Sequence, residues 1–132
     1  MTSNQSFTCI TSRIVMSGHL NAVGTLFGGL LVQWVDEASA IFVMKTLKTR
    51  HIVTKKISEV IYNHPTKLGD VLAFFFRTKA IGKTSLTVEC QVIAEAISAE
   101  DKPRVILNCD IVFVTVNDQG QSVPHRYPSS TS

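Results

Sequence analysis

The chain has 132 residues, of which 45% are hydrophobic and 17% charged, with a formal net charge of +3. That length gives one domain able to bury a core without disulfides or a structural metal, and the composition excludes a disordered chain. The positive residues are scattered (Lys45, Lys48, Arg50, Lys55, Lys56, Lys67, Arg77, Lys79, Lys83), with no dense run of the kind a nucleic-acid arm carries. A mild basic excess suits a small anionic ligand, such as one bearing phosphates. The low charged fraction predicts that part of the surface is hidden by self-association.

In chain order, residues 7–17 (FTCITSRIVMS) are rich in β-branched side chains and predict a first strand. A glycine-bearing loop follows over 19–29. From Leu30 to about Lys48 the apolar residues Leu30, Leu31, Trp34, Val35, Ala38, Ile41, Phe42 and Met44 fit the 3.6-residue period. This stretch is apolar nearly all round, which predicts a buried helix, with Lys45, Lys48 and Arg50 at the end that suits cations. Gln33, Asp36, Glu37 and Lys45 interrupt it, so no membrane span is expected. Strands are then predicted over Ile52–Asn63, Asp70–Ala80, Thr84–Ala96 and Val105–Asn117. In the third of these, Leu86, Val88, Cys90, Val92 and Ala94 alternate against Thr87, Glu89, Gln91 and Glu95. Turn residues separate the strands at His64–Asp70, Ile81–Lys83 and Ala99–Pro103. The tail PHRYPSSTS is polar and expected to fray. One buried helix followed by consecutive strands predicts a single α+β domain, with an antiparallel sheet wrapped around the helix. The sheet's other face, or its edge, still needs cover, which again points to a dimer.

Three cysteines, Cys9, Cys90 and Cys109, are widely spaced. Free thiols in a cytoplasmic protein are expected, and the N-terminus has no secretory pattern. Cys90 and Cys109 fall on apolar strand faces and are expected in the core. The four histidines make no i, i+4 pair, so no metal site is expected, and there is no GxSxG, P-loop or GxGxxG.

The informative segment is Asn21-Ala22-Val23-Gly24-Thr25-Leu26-Phe27-Gly28-Gly29, with Asp36 seven positions on. Gly28 and Gly29 stand at the helix start, where free N–H groups and the positive end of the dipole can polarise a carbonyl oxygen. Taken alone, the two glycines fit a tight turn better than a binding site. Asp36 lies about two helical turns further, flanked by Val32, Gln33, Ser39 and Ala40. A carboxylate on such a helix is costly to bury unless paired or functional. It can be a general base or nucleophile, or it can sit at a solvated dimer edge. Glu37 is a competing candidate. Asn21 can orient a substrate or water through its amide, or merely shape the turn.

These residues resemble the helix-start signature of hotdog-fold acyl-CoA thioesterases. The similarity continues in His51-Ile52-Val53-Thr54, which is similar to that family's V-T at the start of the next strand. It continues in Pro65 with Gly69-Asp70-Val71, in Ile81-Gly82-Lys83-Thr84-Ser85-Leu86 beside the family's V-G-R-T-S-M, and in Phe113-Val114 through Val123-Pro124. It runs over roughly residues 8–128. The resemblance implies a long central helix wrapped by a five- or six-stranded antiparallel sheet. It implies hydrolysis of acyl-CoA, with coenzyme A entering only as part of substrate and product and no cofactor. It implies a homodimer as the active unit, assembled as a trimer of dimers, with no nucleic-acid or membrane partner. Asp36 would be the helix carboxylate, Asn21 would come from the neighbouring subunit, and Gly28 or Gly29 would supply the polarising amide. Thr54, Lys83, Thr84 and Ser85 would bind substrate or coenzyme A. The acyl chain would run beside Phe27, Trp34 or the phenylalanines of 74–76. The chain departs from the family pattern at Val23, Thr25 and Lys83. Lysine meets a phosphate as a point charge, without arginine's two-pronged fork. Other activities open to such a domain are carrier-protein thioester hydrolysis, dehydration with His19 or His51 beside the carboxylate, and acyl-CoA binding without catalysis.

Overall fold

The computed structural model describes residues 6–125. In chain order it has β1 (Thr8–Ile14), a 3-10 turn (Ser17–His19), α1 (Gly28–Leu47), β2 (Ile52–Tyr62), β3 (Val71–Ile81), β4 (Ser85–Ala94) and β5 (Arg104–Thr115). The strands form one antiparallel sheet in the order β1-β3-β4-β5-β2, with α1 across one face. This is the expected α+β arrangement, with five strands among the described residues. The expected fray beyond His125 lies outside them.

β1 is shorter than expected. It ends at Ile14 because Val15 turns fully into the core, its N–H bonded to the Asp70 carbonyl at 2.9 Å. α1 starts two residues earlier than expected, at Gly28, with the extended residue Phe27 before it and no side-chain cap. It ends at Lys48, whose left-handed backbone (φ 60°) turns its N–H back to the Met44 carbonyl.

The period-two pattern of β4 is realised. Leu86, Val88, Cys90, Val92 and Ala94 are buried, while Ser85, Thr87, Glu89, Gln91 and Ile93 are only partly covered. Phe74, Phe76 and Phe113 join the same core, and burying each such side chain stabilises by about 1.5–3 kcal/mol. Phe42 of α1 stacks on Phe76 with centroids 6.0 Å apart. Cys90 and Cys109 are free, buried and direct cross-strand partners, as core residues should be.

The helix is not buried all round. Leu31, Trp34, Val35, Ala38, Ser39, Val43 and Leu47 are buried, but Gln33, Glu37, Ile41 and Lys45, four residues apart in turn, form an exposed stripe. Only one layer of sheet packs on this helix, so its far side faces outward despite Ile41.

The outer face of the sheet largely covers its own polarity. Arg77 pairs with Glu89, Lys79 with Asp110, and Arg104 with Asp70. The sheet's edges differ from that face. β2 is an edge strand with register shifts between Thr54 and Lys56 and between Ser58 and Ile61; Glu59 within the second has φ 54°. Bulges of this kind twist an edge. The strand still leaves Val53, Ile61 and Tyr62 exposed. The need for cover therefore falls on an edge more than on the outer face.

Candidate active site

The loop before α1 is organised by Asn21. Its Oδ1 accepts from the N–H groups of Val23 (3.1 Å) and Thr25 (3.0 Å), and its Nδ2 donates to Thr25 Oγ1 at 3.0 Å. The main chain closes the same loop, Asn21 N–H to the Thr25 carbonyl and Gly24 N–H to the Asn21 carbonyl. Gly24 has φ +85°, which explains the glycine. Thr25, a departure from the family pattern, is thus the residue that anchors the Asn21 amide. Within one subunit Asn21 serves this turn, and its side chain makes no hydrogen bond to Asp36.

Leu26 and Phe27 then lead into the helix, their N–H groups bonded to the carbonyls of Thr66 and His19. Gly28 and Gly29 form the first turn of α1, where donors lie free of intrahelical partners. Gly28 is half-buried and its carbonyl accepts from the Tyr62 hydroxyl at 3.1 Å; Gly29 is exposed. A cleft of about 270 Å³ opens here, lined by Thr25, Gly28, Leu31, Tyr62, His64 and Thr66 among others.

The two adjacent acids on α1 face opposite edges of the sheet. Asp36 is partly exposed, and its Oδ1 accepts from Thr54 Oγ1 on β2 at 2.7 Å. That short bond from a neutral hydroxyl orients the carboxylate and leaves Oδ2 without a bond from the described residues. Glu37 is exposed, paired with Arg13 of β1 at 3.1 Å, and touched by Gln33 at 3.4 Å. Arg13 also lies over the Trp34 ring, 4.8 Å from its centroid, and His19 meets that ring edge-on at 4.9 Å. Glu37 is thereby committed to an ion pair, and Asp36 is the carboxylate held ready on an open side. His19 is taken up by Trp34, and its Nδ1 accepts from Met16 N–H; His51 lies at the far end of the helix. Among the described residues neither histidine bonds Asp36.

The turn between β3 and β4 holds Lys83, Thr84 and Ser85. A Cβ at Gly82 would meet Ser85 Oγ, and that hydroxyl would have to turn aside. The carbonyls of all three residues are occupied: Lys83 accepts from His125 N–H, Thr84 from Thr115 N–H, and Ser85 faces His125 Nε2 at 2.9 Å. Ser85 pairs with Val114, which pairs with Val53, so the turn sits two strands across from the start of β2. The Lys83 side chain carries no ion pair among the described residues. A larger cleft of about 420 Å³ lies near this end, lined by Lys48, Thr49, His51, Thr115, Pro124 and His125 among others. It touches neither Asp36 nor Gly28, so size alone does not mark the chemistry.

The structure therefore joins Asp36 to Thr54 and keeps the other expected residues apart. Thr54, expected to meet substrate, spends its hydroxyl on Asp36. Trp34, Phe74 and Phe76 are filled into the core and, like the exposed Phe27, line neither cleft; Leu26 and Leu31 are apolar side chains that line the one at the helix start. Sequence reasoning missed Tyr62. Nothing in its strand context sets it apart, and only the fold brings it to Gly28. Among the described residues no three His, Cys, Asp or Glu side chains gather as metal ligands, and no helix is long and apolar enough to cross a membrane.

Comparison with known proteins places the family and the fold. The sequence profile of the thioesterase superfamily matches residues 23–99, more than half of the chain and the part that contains Gly28, Asp36 and Thr54. An uncharacterized acyl-CoA thioester hydrolase of Zymomonas mobilis is 30% identical over 59% of this chain, which spans about half (52%) of that relative's length. The acyl-CoA thioester hydrolase YciA of Escherichia coli is 28% identical over 87% of this chain and 86% of its own length. Among solved structures, a hexameric hotdog-fold thioesterase of Campylobacter jejuni superposes with a TM-score of 0.81 at 23% identity, covering 89% of this chain and 90% of that one. An acyl-CoA hydrolase of Staphylococcus aureus, solved with butyryl coenzyme A and coenzyme A, superposes with a TM-score of 0.81 at 26% identity, covering 89% of this chain and 70% of that one. The chain has the hotdog fold and belongs to the thioesterase superfamily.

Proposed function

We propose that this chain is an acyl-CoA thioesterase: water and an acyl-CoA yield a free carboxylic acid and coenzyme A. The observation that carries the reading is Asp36, oriented by Thr54 at 2.7 Å on a helix whose start presents free backbone amides. The names of the relatives above support the substrate class.

Distance bears on how the parts combine. Asp36 stands eight residues after Gly28 on one helix, about 12 Å along its axis at ~1.5 Å per residue. Reacting atoms must come within about 3–3.5 Å. One helix cannot place its own first amides and its own Asp36 on the same carbonyl carbon. That separation supports a reaction centre shared across a dimer, as the family resemblance implies, with Asp36 from one subunit and Asn21 with the helix-start amide from the other. The exposed β2 edge, with Val53 and Ile61, is the surface where two sheets join, and three such dimers make the assembly.

The thioester oxygen lies on the Gly28/Gly29 amides, which stabilise the charge that develops as the carbonyl becomes tetrahedral. Asp36 acts through its ionised carboxylate. It either takes a proton from the attacking water or attacks the carbonyl itself, forming an anhydride that water then opens. In the first course the tetrahedral intermediate expels the thiolate; in the second the thiolate leaves as the anhydride forms, before water opens it; in both the thiolate takes up a proton as coenzyme A. Asn21 orients the water or the substrate, and Lys83, with Thr84 and Ser85, meets the coenzyme's phosphate or pantetheine arm. No cofactor enters. Three free thiols suit a cytoplasmic site of action.

The test is thiol release from a panel of acyl-CoAs by the wild type and by Asp36→Ala. Turnover of at least one acyl-CoA, lost in the variant, is expected. No turnover of any acyl-CoA rejects the activity, while turnover that survives Asp36→Ala rejects the assigned carboxylate.

A further inference from the structure

Tyr62 ends β2, and its ring lies against the first residue of α1. Its hydroxyl donates to the Gly28 carbonyl at 3.1 Å. That carbonyl shares a peptide plane with the N–H of Gly29, and in a trans peptide the two point in opposite directions. Pinning the carbonyl therefore pins the amide and aims it away from the tyrosine. A carbonyl that accepts a hydrogen bond also makes its own amide a stronger donor, because polarisation passes through the peptide. Gly29 N–H is one of the helix's unpartnered donors, with no acceptor among the described residues.

The two glycines have different surroundings. A Cβ on Gly28 would lie 3.1 Å from the Tyr62 oxygen and 3.3 Å from Cζ, closer than ordinary contact. Its backbone is not left-handed, so the approach of the ring is what calls for glycine. A Cβ on Gly29 would meet nothing within 4 Å, and Gly29 is exposed. Gly28 thus faces the tyrosine and Gly29 faces open space. Burial, and then the nearby Cys109, raise the phenol above its ordinary value of 10.0, so Tyr62 keeps its proton and remains a donor.

We infer that Tyr62 is a positioning residue: by holding the Gly28 carbonyl it fixes and strengthens the Gly29 N–H as the amide that receives the thioester oxygen. This rests on the functional reading above and selects one amide of the two. Tyr62 touches no reacting atom; it acts through the peptide between Gly28 and Gly29.

The experiment compares wild type with Tyr62→Phe, which keeps the ring and removes the hydroxyl. Thiol release from an acyl-CoA that the wild type hydrolyses gives kcat and KM. Selective 15N-glycine labelling, with seven glycines in the chain, gives the amide resonances. Removing a direct oxyanion donor lowers kcat about a hundredfold to a thousandfold, so loss of a bond one peptide away is expected to lower it about fivefold to twentyfold. KM should stay within about twofold, as for an interaction made in the transition state. The Gly29 resonance should move while those of Gly69 and Gly120 stay. An unchanged kcat, a loss carried by KM alone, or an unmoved Gly29 resonance overturns the inference. A wild type that hydrolyses no acyl-CoA instead overturns the functional reading and the catalytic half of the inference with it. An active wild type beside an unaffected Tyr62→Phe overturns only the inference.

Discussion

The two edges of the sheet meet the same helix in opposite ways. At β1, seven residues long, Arg13 reaches over Trp34 to Glu37 and fastens the helix with an ion pair, Gln33 meeting the carboxylate's other oxygen. At β2, eleven residues long, Thr54 holds only one oxygen of Asp36, and Val53, Ile61 and Tyr62 remain exposed. Two neighbouring acids, one helix position apart, thus acquire different work from the strand each one faces. A saturated edge stabilises. An unsaturated edge keeps groups available for a partner and a substrate.

The sharpest break of this comparison is to exchange the acids' fates. Asp36→Ala is expected to lower kcat by about a hundredfold to ten-thousandfold, the range for a lost acid–base group, whereas Glu37→Gln should leave thiol release within about twofold. Equal losses in the two would erase the distinction between the edges. Next in size is the test of sharing. Asp36→Ala and Asn21→Ala chains, each inactive alone, should regain about a quarter of wild-type activity when co-assembled at random, because each mixed dimer holds one intact site. No recovery would place both groups in one subunit. Ile61→Lys, a charge on the open strand, should shift sedimentation to smaller species and lower activity with it. Thr54→Val should lower kcat about tenfold with little change in KM, and Thr54→Ser should restore it, as for the loss of one hydrogen bond to a charged group. The smallest effect belongs to the β1 edge. Arg13 and Glu37 side chains are 44% and 51% exposed, so Arg13→Ala should cost less than about 1 kcal/mol in chemical denaturation.

Most of the fold was legible because its elements obey simple periods. The alternation of Leu86 to Ala94 and the helical spacing of Leu31, Trp34, Val35 and Ala38 are local statements about which side is dry. The helix's open stripe was not legible, since Ile41 reads as buried in any periodicity and only the single packed layer decides otherwise. Within the site, Asp36, Asn21 and the glycines stand out because unusual residues interrupt an apolar run or gather before it. Thr54 was found through family likeness, but its bond to Asp36 depends on where β2 crosses the helix, 18 residues along the chain. Tyr62 meets Gly28 across 34 residues, and no local pattern encodes that meeting.

The pairing of Cys90 with Cys109 deep between β4 and β5 has a practical side. A hydrogen bond with the Cys109 thiol, and then burial, raise the Cys90 pKa far above the ordinary thiol value, so it offers no thiolate to a reagent. Of the three cysteines in a folded chain, Cys9 alone is exposed. A disulfide reagent used to follow coenzyme A release will therefore titrate one protein thiol quickly and two more only as the core opens. The same cuvette that reports turnover reports, by its slow second phase, how often this sheet comes apart.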